Sequence, residues 1–534
     1  MKKLVSLALI LCLLCCALVG CGGRILTAEE LMANIAEDPP ADRTDVVAIF
    51  ETWDMPSFYS GTFRPYLAAY EGRMQTHGVT PLMLARMAAT DFVETEYDAI
   101  NLSNRQEVTS ALLRCYERAA ETLCPPLTQA EDLRAAIDTG GQTHDYASMY
   151  LVAWGYPSFV TQKLMAVETL FDIYYYKDMK TPAEMAAAVA NAFLDTAYGA
   201  VSLTDRTSVT DAYLTLYVDA IGDRYSKYRV PELAEQYEED RNGEYVGIGI
   251  TVQRDEQTDE LHIVALNPEG PAKAAGIEVG DLLYAVDGVL VSELGYNAAI
   301  SAVRGEVGTT VTVTVLRDGG ALIDCTIERV SLVDITVTYS IKDGIGYIQI
   351  TEFKTNTAEQ FRAAIDAMEQ AGVRGVIYDL RDNPGGALSS VTDAIGYLVP
   401  KGTRIASFST YMDPVDSETE HAFRVPSVVL CNENTASAGE LFTAALRDFS
   451  TDAFDLQDAT IVGVPTYGKG VMQSTFTMYD DSTVTVTVAQ YNPPSGVNYD
   501  GEGIVPDVIV QQQAEGDAQL SRAYEILRTQ IPNE

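Results

Sequence analysis

A chain of 534 residues, 47% apolar and 21% charged, has room for several packed domains and is not a disordered sequence. Its net charge of −40 excludes nucleic acid and anionic lipid headgroups as partners of the exposed surface. Neither a metal-ligand spacing nor a phosphate loop occurs, so no metal site and no cofactor is expected.

Residues 1–21 read as a targeting segment. Lys2 and Lys3 precede the apolar run Leu4–Val19, which is short for a membrane span. The run ends in Leu18-Val19-Gly20-Cys21, which resembles the lipobox of bacterial lipoproteins. That resemblance implies a lipid on Cys21 as the mature N-terminus, hence an extracytoplasmic body tethered to the bacterial cell membrane. An ordinary signal peptide or an uncleaved anchor are the alternatives, and both also place the body outside the cytoplasm. Beyond Cys21 the remaining cysteines are Cys115, Cys124, Cys325 and Cys431. A Cys115–Cys124 disulfide is conceivable, but buried free thiols are the expectation.

Residues 22–240 are rich in Ala, Leu and Tyr at helical spacing and repeat at an offset of 101, over about 45–126 and 146–227. Trp53, Pro56, Ser57 and Phe58 recur as Trp154, Pro157, Ser158 and Phe159. Thr80-Pro81 recurs as Thr181-Pro182, and each pair reads as a helix start with Thr as N-cap and Pro at the first helical position. Two copies are too few for a solenoid, so a two-lobed helical module is expected, with homodimer formation among its candidate roles.

Between 241 and 332 the texture changes to short β-like runs punctuated by glycine. Tyr245–Ile250 opens it, followed by Leu261–Leu266, Asp281–Val286 and Thr310–Leu316, with a short helix at Gly270–Ile277 stopped by Gly276. The run from Pro271 to Asp281, with Val286-Asp287-Gly288 after it, resembles a PDZ domain of the bacterial protease type. The resemblance implies that Gly247, Ile248, Gly249 and Ile250 offer backbone N–H groups to a peptide's terminal carboxylate while the peptide adds a strand to the sheet edge. Gly-Ile-Gly by itself equally marks a bulge or turn.

Residues 333–534 show strand, helix, strand over Gly346–Ile350, Thr357–Ala371 and Gly375–Leu380, a βαβ unit. The second strand runs into Asp379-Leu380-Arg381-Asp382-Asn383-Pro384-Gly385-Gly386, then a helical stretch from Ala387 to Leu398. Glycines at a strand–helix junction can leave backbone N–H groups free for an anion, or can simply form a tight turn. Farther on, Thr435–Glu440 follows an apolar run, and Tyr467–Gln473 places Lys469 between glycines. Ser437-Ala438-Gly439-Glu440 is also a capping box, a reading compatible with Ser437 as a nucleophile at a helix N-terminus.

Together with Gly503–Asp507 and Asp223–Tyr228, these runs resemble the ordered signatures of the C-terminal processing peptidases, the S41 serine proteases, from about Ser208 to the C-terminus. The resemblance implies a crotonase-like α/β protease core behind the PDZ-like β domain. With the duplicated helical N-terminal region, whose first copy the family pattern does not explain, a multidomain α+β protein is expected. The resemblance also implies Ser437 as nucleophile, Lys469 as general base and Gln473 as the residue orienting it. An oxyanion hole would come from N–H groups of Gly385 or Gly386 and of Ala438. Substrates would be proteins or peptides with free C-termini.

Elementary chemistry points the same way, because a serine hydroxyl needs a base, and a lysine serves only if desolvation draws its pKa from about 10.4 toward 7–8. His421 is the rival base in the catalytic half. The rival functions are a catalytically silent lipoprotein that binds peptide ends as a scaffold, and a lipid-binding relative of the fold.

Overall fold

The computed structural model describes residues 25–137, 144–156, 161–255, 258, 260–317, 320–513 and 516–531. Cys21, Pro157, Ser158 and Phe159 lie outside the described residues. Among the described residues no helix is long and apolar enough to cross a membrane. The chain forms two compact units: one from the chain up to Val230 together with Gln473–Val488, the other from Pro231–Met472 together with Ala489–Glu534.

The first unit is helical. Helices begin at Val46, Ser60, Pro81 and Arg105, and again at Ala147, Thr161, Pro182 and Arg206, each start matched at the 101-residue offset. Thr80 caps the third of these and Thr181 the seventh, each through its hydroxyl, with Pro in the first turn as the sequence predicts. Asn104 and Asp205 cap the fourth and eighth through side-chain oxygens. Cys115 and Cys124 are buried free thiols, as are Cys325 and Cys431 of the other unit.

The same unit grips the segment 473–488. Strand Lys227–Arg229 pairs with Thr483–Thr485 in antiparallel register. Lys163, 5% exposed, donates to Asp480 Oδ2 (2.6 Å) and to the Tyr228 hydroxyl (2.7 Å), which in turn donates to Asp211 (2.5 Å). Asp223 accepts from Ser226 Oγ (2.6 Å) and from Thr487 Oγ1 (2.5 Å). The Asp223–Tyr228 motif therefore works as a clasp on this segment.

In the second unit the first β region is an antiparallel sheet of Ile250–Arg254, Leu261–Leu266, Leu282–Val286, Thr310–Arg317 and Ala321–Glu328, in that order, with Val289–Leu290 beside the third. Its core is apolar, with Ile248, Ile263, Ile277, Leu283 and Val313 essentially sealed from water. The Pro271–Asp281 run owes its pattern to one buried carboxylate. Asp281, 2% exposed, accepts the Glu278 N–H (2.9 Å) and a two-point grip from Arg317 (2.7 and 2.8 Å), and this pairing holds its carboxyl below the usual range.

The second region is a six-stranded sheet ordered Val337–Lys342, Ile345–Ile350, Gly375–Asp379, Pro426–Cys431, Asp458–Gly463 and Val508–Ile509. The first pair is antiparallel and every later pair parallel. Strands buried on both faces explain why Pro426–Cys431 reads as an unbroken apolar run. On one face the C-terminal helix Ala518–Gln530 lays Ala523 and Leu527 over Ile377, Val428 and Val462. On the other, helices Thr357–Gln370, Leu388–Gly396 and Ala438–Phe449 pack with Phe361, Tyr378 and Phe442 at their centre.

Burial lifts the Glu168 carboxyl in the helical unit from an ordinary 4.5 to about 8. The folded unit keeps this proton where the unfolded chain has released it. Its contribution to stability is therefore complete below pH 4.5 or so, and is lost as the pH rises toward 8, by about 1.4 kcal/mol per unit. Thermal unfolding between pH 5 and 8 should show Glu168→Gln losing clearly less stability than the wild type over that interval. Equal losses in the two proteins would contradict it.

Candidate active site

Parallel register brings three carboxyl-terminal strand ends side by side: Gly375–Asp379, Pro426–Cys431 and Asp458–Gly463. In open parallel sheets this rim is where loops assemble ligand sites. Each of the three sequence motifs leaves one of these ends, so the motifs converge although they are scattered along the chain.

The loops are laced by side chains that the strands leave behind. Thr435, fully buried, donates its hydroxyl to the Leu380 carbonyl (2.8 Å), and its own carbonyl accepts the Tyr467 N–H (3.0 Å). Asn383, also fully buried, donates Nδ2 to the Ile350 carbonyl (2.8 Å) and takes the Gly385 N–H on Oδ1 (2.8 Å). Its backbone carbonyl accepts from Ala436 N–H (2.9 Å). Asp382 receives Nδ2 of both Asn432 and Asn434 (2.8 Å each), which hold its carboxyl below the usual range.

Ser437 stands at the strand-to-helix turn, 9% exposed, with φ 53° and ψ −116°. L-residues avoid that region, and holding one there costs about 1–3 kcal/mol. Its neighbour leaves no room for a side chain: a Cβ on Gly385 would lie 2.6 Å from the Ser437 Cβ and 2.9 Å from the Ala438 nitrogen. Gly386 is equally constrained, since its Cβ would meet the Phe353 carbonyl oxygen at 2.1 Å. Asn383 takes the Gly385 N–H, which leaves those of Gly386, the next residue, and of Ala438, the residue after the serine. Among the described residues neither forms a hydrogen bond.

Of the capping box, the carboxylate half is the one that reaches furthest. Glu440, fully buried, accepts the Ser437 N–H on Oε2 (2.9 Å), and the same oxygen takes the Lys469 N–H (2.7 Å). Its Oε1 takes the Thr466 hydroxyl (2.6 Å) and the Gly468 N–H (2.7 Å). Burial pushes this carboxyl up, opposed by those four donors. The donors occupy its four lone-pair positions, so the ionised form is the one that fits.

A profile described as Peptidase family S41 matches residues 344–510, and one described as PDZ domain matches 262–317. The carboxyl-terminal-processing protease of Synechocystis sp. is 31% identical over 292 residues, covering 53% of this chain and 67% of that protein. The chain belongs to peptidase family S41. The carboxy-terminal processing protease CtpA of Bacillus subtilis is 34% identical over 309 residues, and the match spans 57% of this chain and 64% of that relative's length. A putative S41 protease from Bacteroides fragilis superposes with a TM-score of 0.44 at 17% identity, covering 69% of this chain and 98% of that one.

The S41 core thus brings Gly385, Gly386, Ser437, Ala438 and the Lys469 backbone together. Gln473 opens the segment that belongs to the helical unit, where its amide donates to Thr487 Oγ1 (3.3 Å). His421 is engaged elsewhere in the core: it stacks on Tyr397 (3.7 Å between centroids), with Nδ1 against the Tyr397 carbonyl (2.6 Å) and Nε2 against Glu369 (3.2 Å). Asp366 joins Glu369 and His421 as a polar surface cluster and accepts the Tyr397 hydroxyl (2.8 Å).

In the PDZ domain, the run read as one strand from Tyr245 is two. Glu244–Gly247 pairs with Val330–Val333, and Ile250–Arg254 starts a different sheet. Between them Gly249 adopts φ 82°, its Cβ position only 2.8 Å from the Gly270 Cα, so close backbone packing breaks the run. Ile248 is a core residue there, 1% exposed.

The turn strain gives a direct expectation. Ser437→Gly should be more stable than Ser437→Ala by about 1 kcal/mol or more, since glycine alone relaxes at this φ. Urea unfolding of the two variants reads the difference. Equal midpoints would mean that the serine carries no such strain.

Proposed function

We propose that this S41 protein is an extracytoplasmic serine endopeptidase that cleaves proteins near their C-termini through a Ser437/Lys469 dyad. The observation that carries the reading is the strained Ser437 turn, packed against Gly385 and joined to the Lys469 backbone through one buried carboxylate. A serine at a helix N-terminus, with the Gly386 and Ala438 N–H groups serving as oxyanion donors, would suit attack on a carbonyl whose oxygen becomes negative. Lys469, half-buried between Gly468 and Gly470, would take the serine proton and pass it to the leaving amine. Gln473, four residues on, would orient the lysine. Gly247–Ile250 of the PDZ domain would hold the substrate's terminal carboxylate.

The same proposal extends to the ends of the molecule. The Leu18–Cys21 sequence supports a lipid anchor on Cys21. Matched helix starts at the 101-residue offset support a tandem duplication of the helical region. That region is the surface through which a homodimer would form.

The dyad is tested with an unstructured protein substrate ending in apolar residues. Ser437→Ala and Lys469→Ala should each lower cleavage by about 10³-fold or more while leaving the thermal midpoint in place. Amidating the substrate C-terminus should raise KM without changing kcat. Cleavage retained in Lys469→Ala would sink the dyad, and cleavage retained in Ser437→Ala would sink the serine mechanism altogether.

A further inference from the structure

Lys469 reaches the rim on residues 464–470, a stretch without helix or strand. A base delivered by a loop is useful only if its backbone is fixed to within a fraction of an ångström of the nucleophile's frame. Both polar backbone groups of Lys469 are fixed by buried side chains. Its N–H donates to Glu440 Oε2 (2.7 Å), and its carbonyl accepts the Tyr491 hydroxyl (2.9 Å). Each of these side chains also engages Ser437. The Ser437 N–H shares Glu440 Oε2 (2.9 Å), and the Ser437 side chain lies close enough to the Tyr491 hydroxyl to ease its ionisation against the burial that raises it.

Neither group is placed there by local needs alone. A helix cap asks Glu440 for one N–H, whereas its second oxygen and half of its first serve the loop 26 to 29 residues away. Tyr491, 2% exposed, comes from the strand Thr483–Asn492, at a point where Phe408 pairs with it, and Tyr499 packs edge-on against its ring (6.0 Å). Two unrelated elements thus meet on the same residue pair.

We propose that Glu440 and Tyr491 are positioning residues that clamp the Lys469 backbone to Ser437 from both sides. The inference rests on the Ser437/Lys469 reading given above. The clamp requires a carboxylate at 440: a glutamine would turn its NH₂ group either toward the Ser437 and Lys469 N–H groups or toward the Gly468 N–H and the Thr466 hydroxyl, leaving at least one N–H without its acceptor. It requires only the hydroxyl of Tyr491, because the ring keeps its packing in phenylalanine.

The test uses the full chain with Glu440→Gln, Tyr491→Phe and Lys469→Ala beside the wild type. Three quantities are read: the thermal midpoint, the rate at which a fluorophosphonate labels Ser437 as located by mass spectrometry, and kcat and KM on the unstructured substrate. The clamp predicts folded variants with KM within about threefold of wild type. Labelling rate and kcat should fall together, roughly 100-fold in Glu440→Gln and roughly tenfold in Tyr491→Phe. A purely structural role would lower the midpoint and leave kcat of the folded fraction alone. Labelling and kcat within threefold of wild type in the folded variants, with Lys469→Ala unlabelled, would overturn the clamp and leave the dyad standing. Wild type that does not label, or Lys469→Ala that labels like wild type, would instead remove the dyad and the clamp with it. Should Glu440→Gln fail to fold, the Tyr491→Phe rate decides.

Discussion

The backbone of Ser437 is the constraint on which the rest of the rim depends. A serine at φ 53° and ψ −116° is held uphill of its preferred conformations, so the surrounding turn must be over-determined. It is: Gly385 presses against the Ser437 Cβ position, Asn383 stitches its own loop to Ile350 and Ala436, and Thr435 bolts the serine loop to Leu380. The glycine pair is therefore a steric requirement first, and in the proposed reading a source of an oxyanion donor second.

Sheet topology explains why the motifs occur in the order they do. Three consecutive parallel strands each end in one part of the site: the Gly-Gly turn, the serine and the lysine loop. Parallel pairing makes their ends neighbours, and the helices between them carry the connections back across one face of the sheet. A buried carboxylate in the first turn of the helix after the serine then joins the second part to the third. The division of labour extends outward. Arg317 and Asp281 brace the PDZ domain, and the Asp223–Tyr228 clasp holds the segment that starts at Gln473.

Much of this was legible in the sequence because the relevant signals are local. The βαβ unit, the Thr-Pro helix starts, the serine at a strand–helix junction and the glycines beside it all follow from short-range pattern. What stayed hidden is long-range. Glu440 reads as an ordinary capping-box partner, and only the fold reveals that Gly468, Lys469 and Thr466 share its oxygens. Tyr491 lies near the end of a strand of alternating Thr and Val with no motif to mark it. Gly385 looks like an anion donor until Asn383 is seen taking its N–H. The Tyr245–Ile250 run looks continuous, because nothing in it announces that Gly249 must pass within touching distance of Gly270.

The central claim is that the Ser437 turn is a preformed nucleophile-and-oxyanion site. It is tested most directly by a crystal structure of the protein after reaction with a peptidyl phosphonate. The account predicts phosphorus bonded to Ser437 Oγ, with the phosphonyl oxygen within about 3 Å of both the Gly386 and Ala438 nitrogens and the Ser437 φ unchanged. A phosphonyl oxygen pointing away from those nitrogens, or a serine that has left the left-handed region to react, would contradict it.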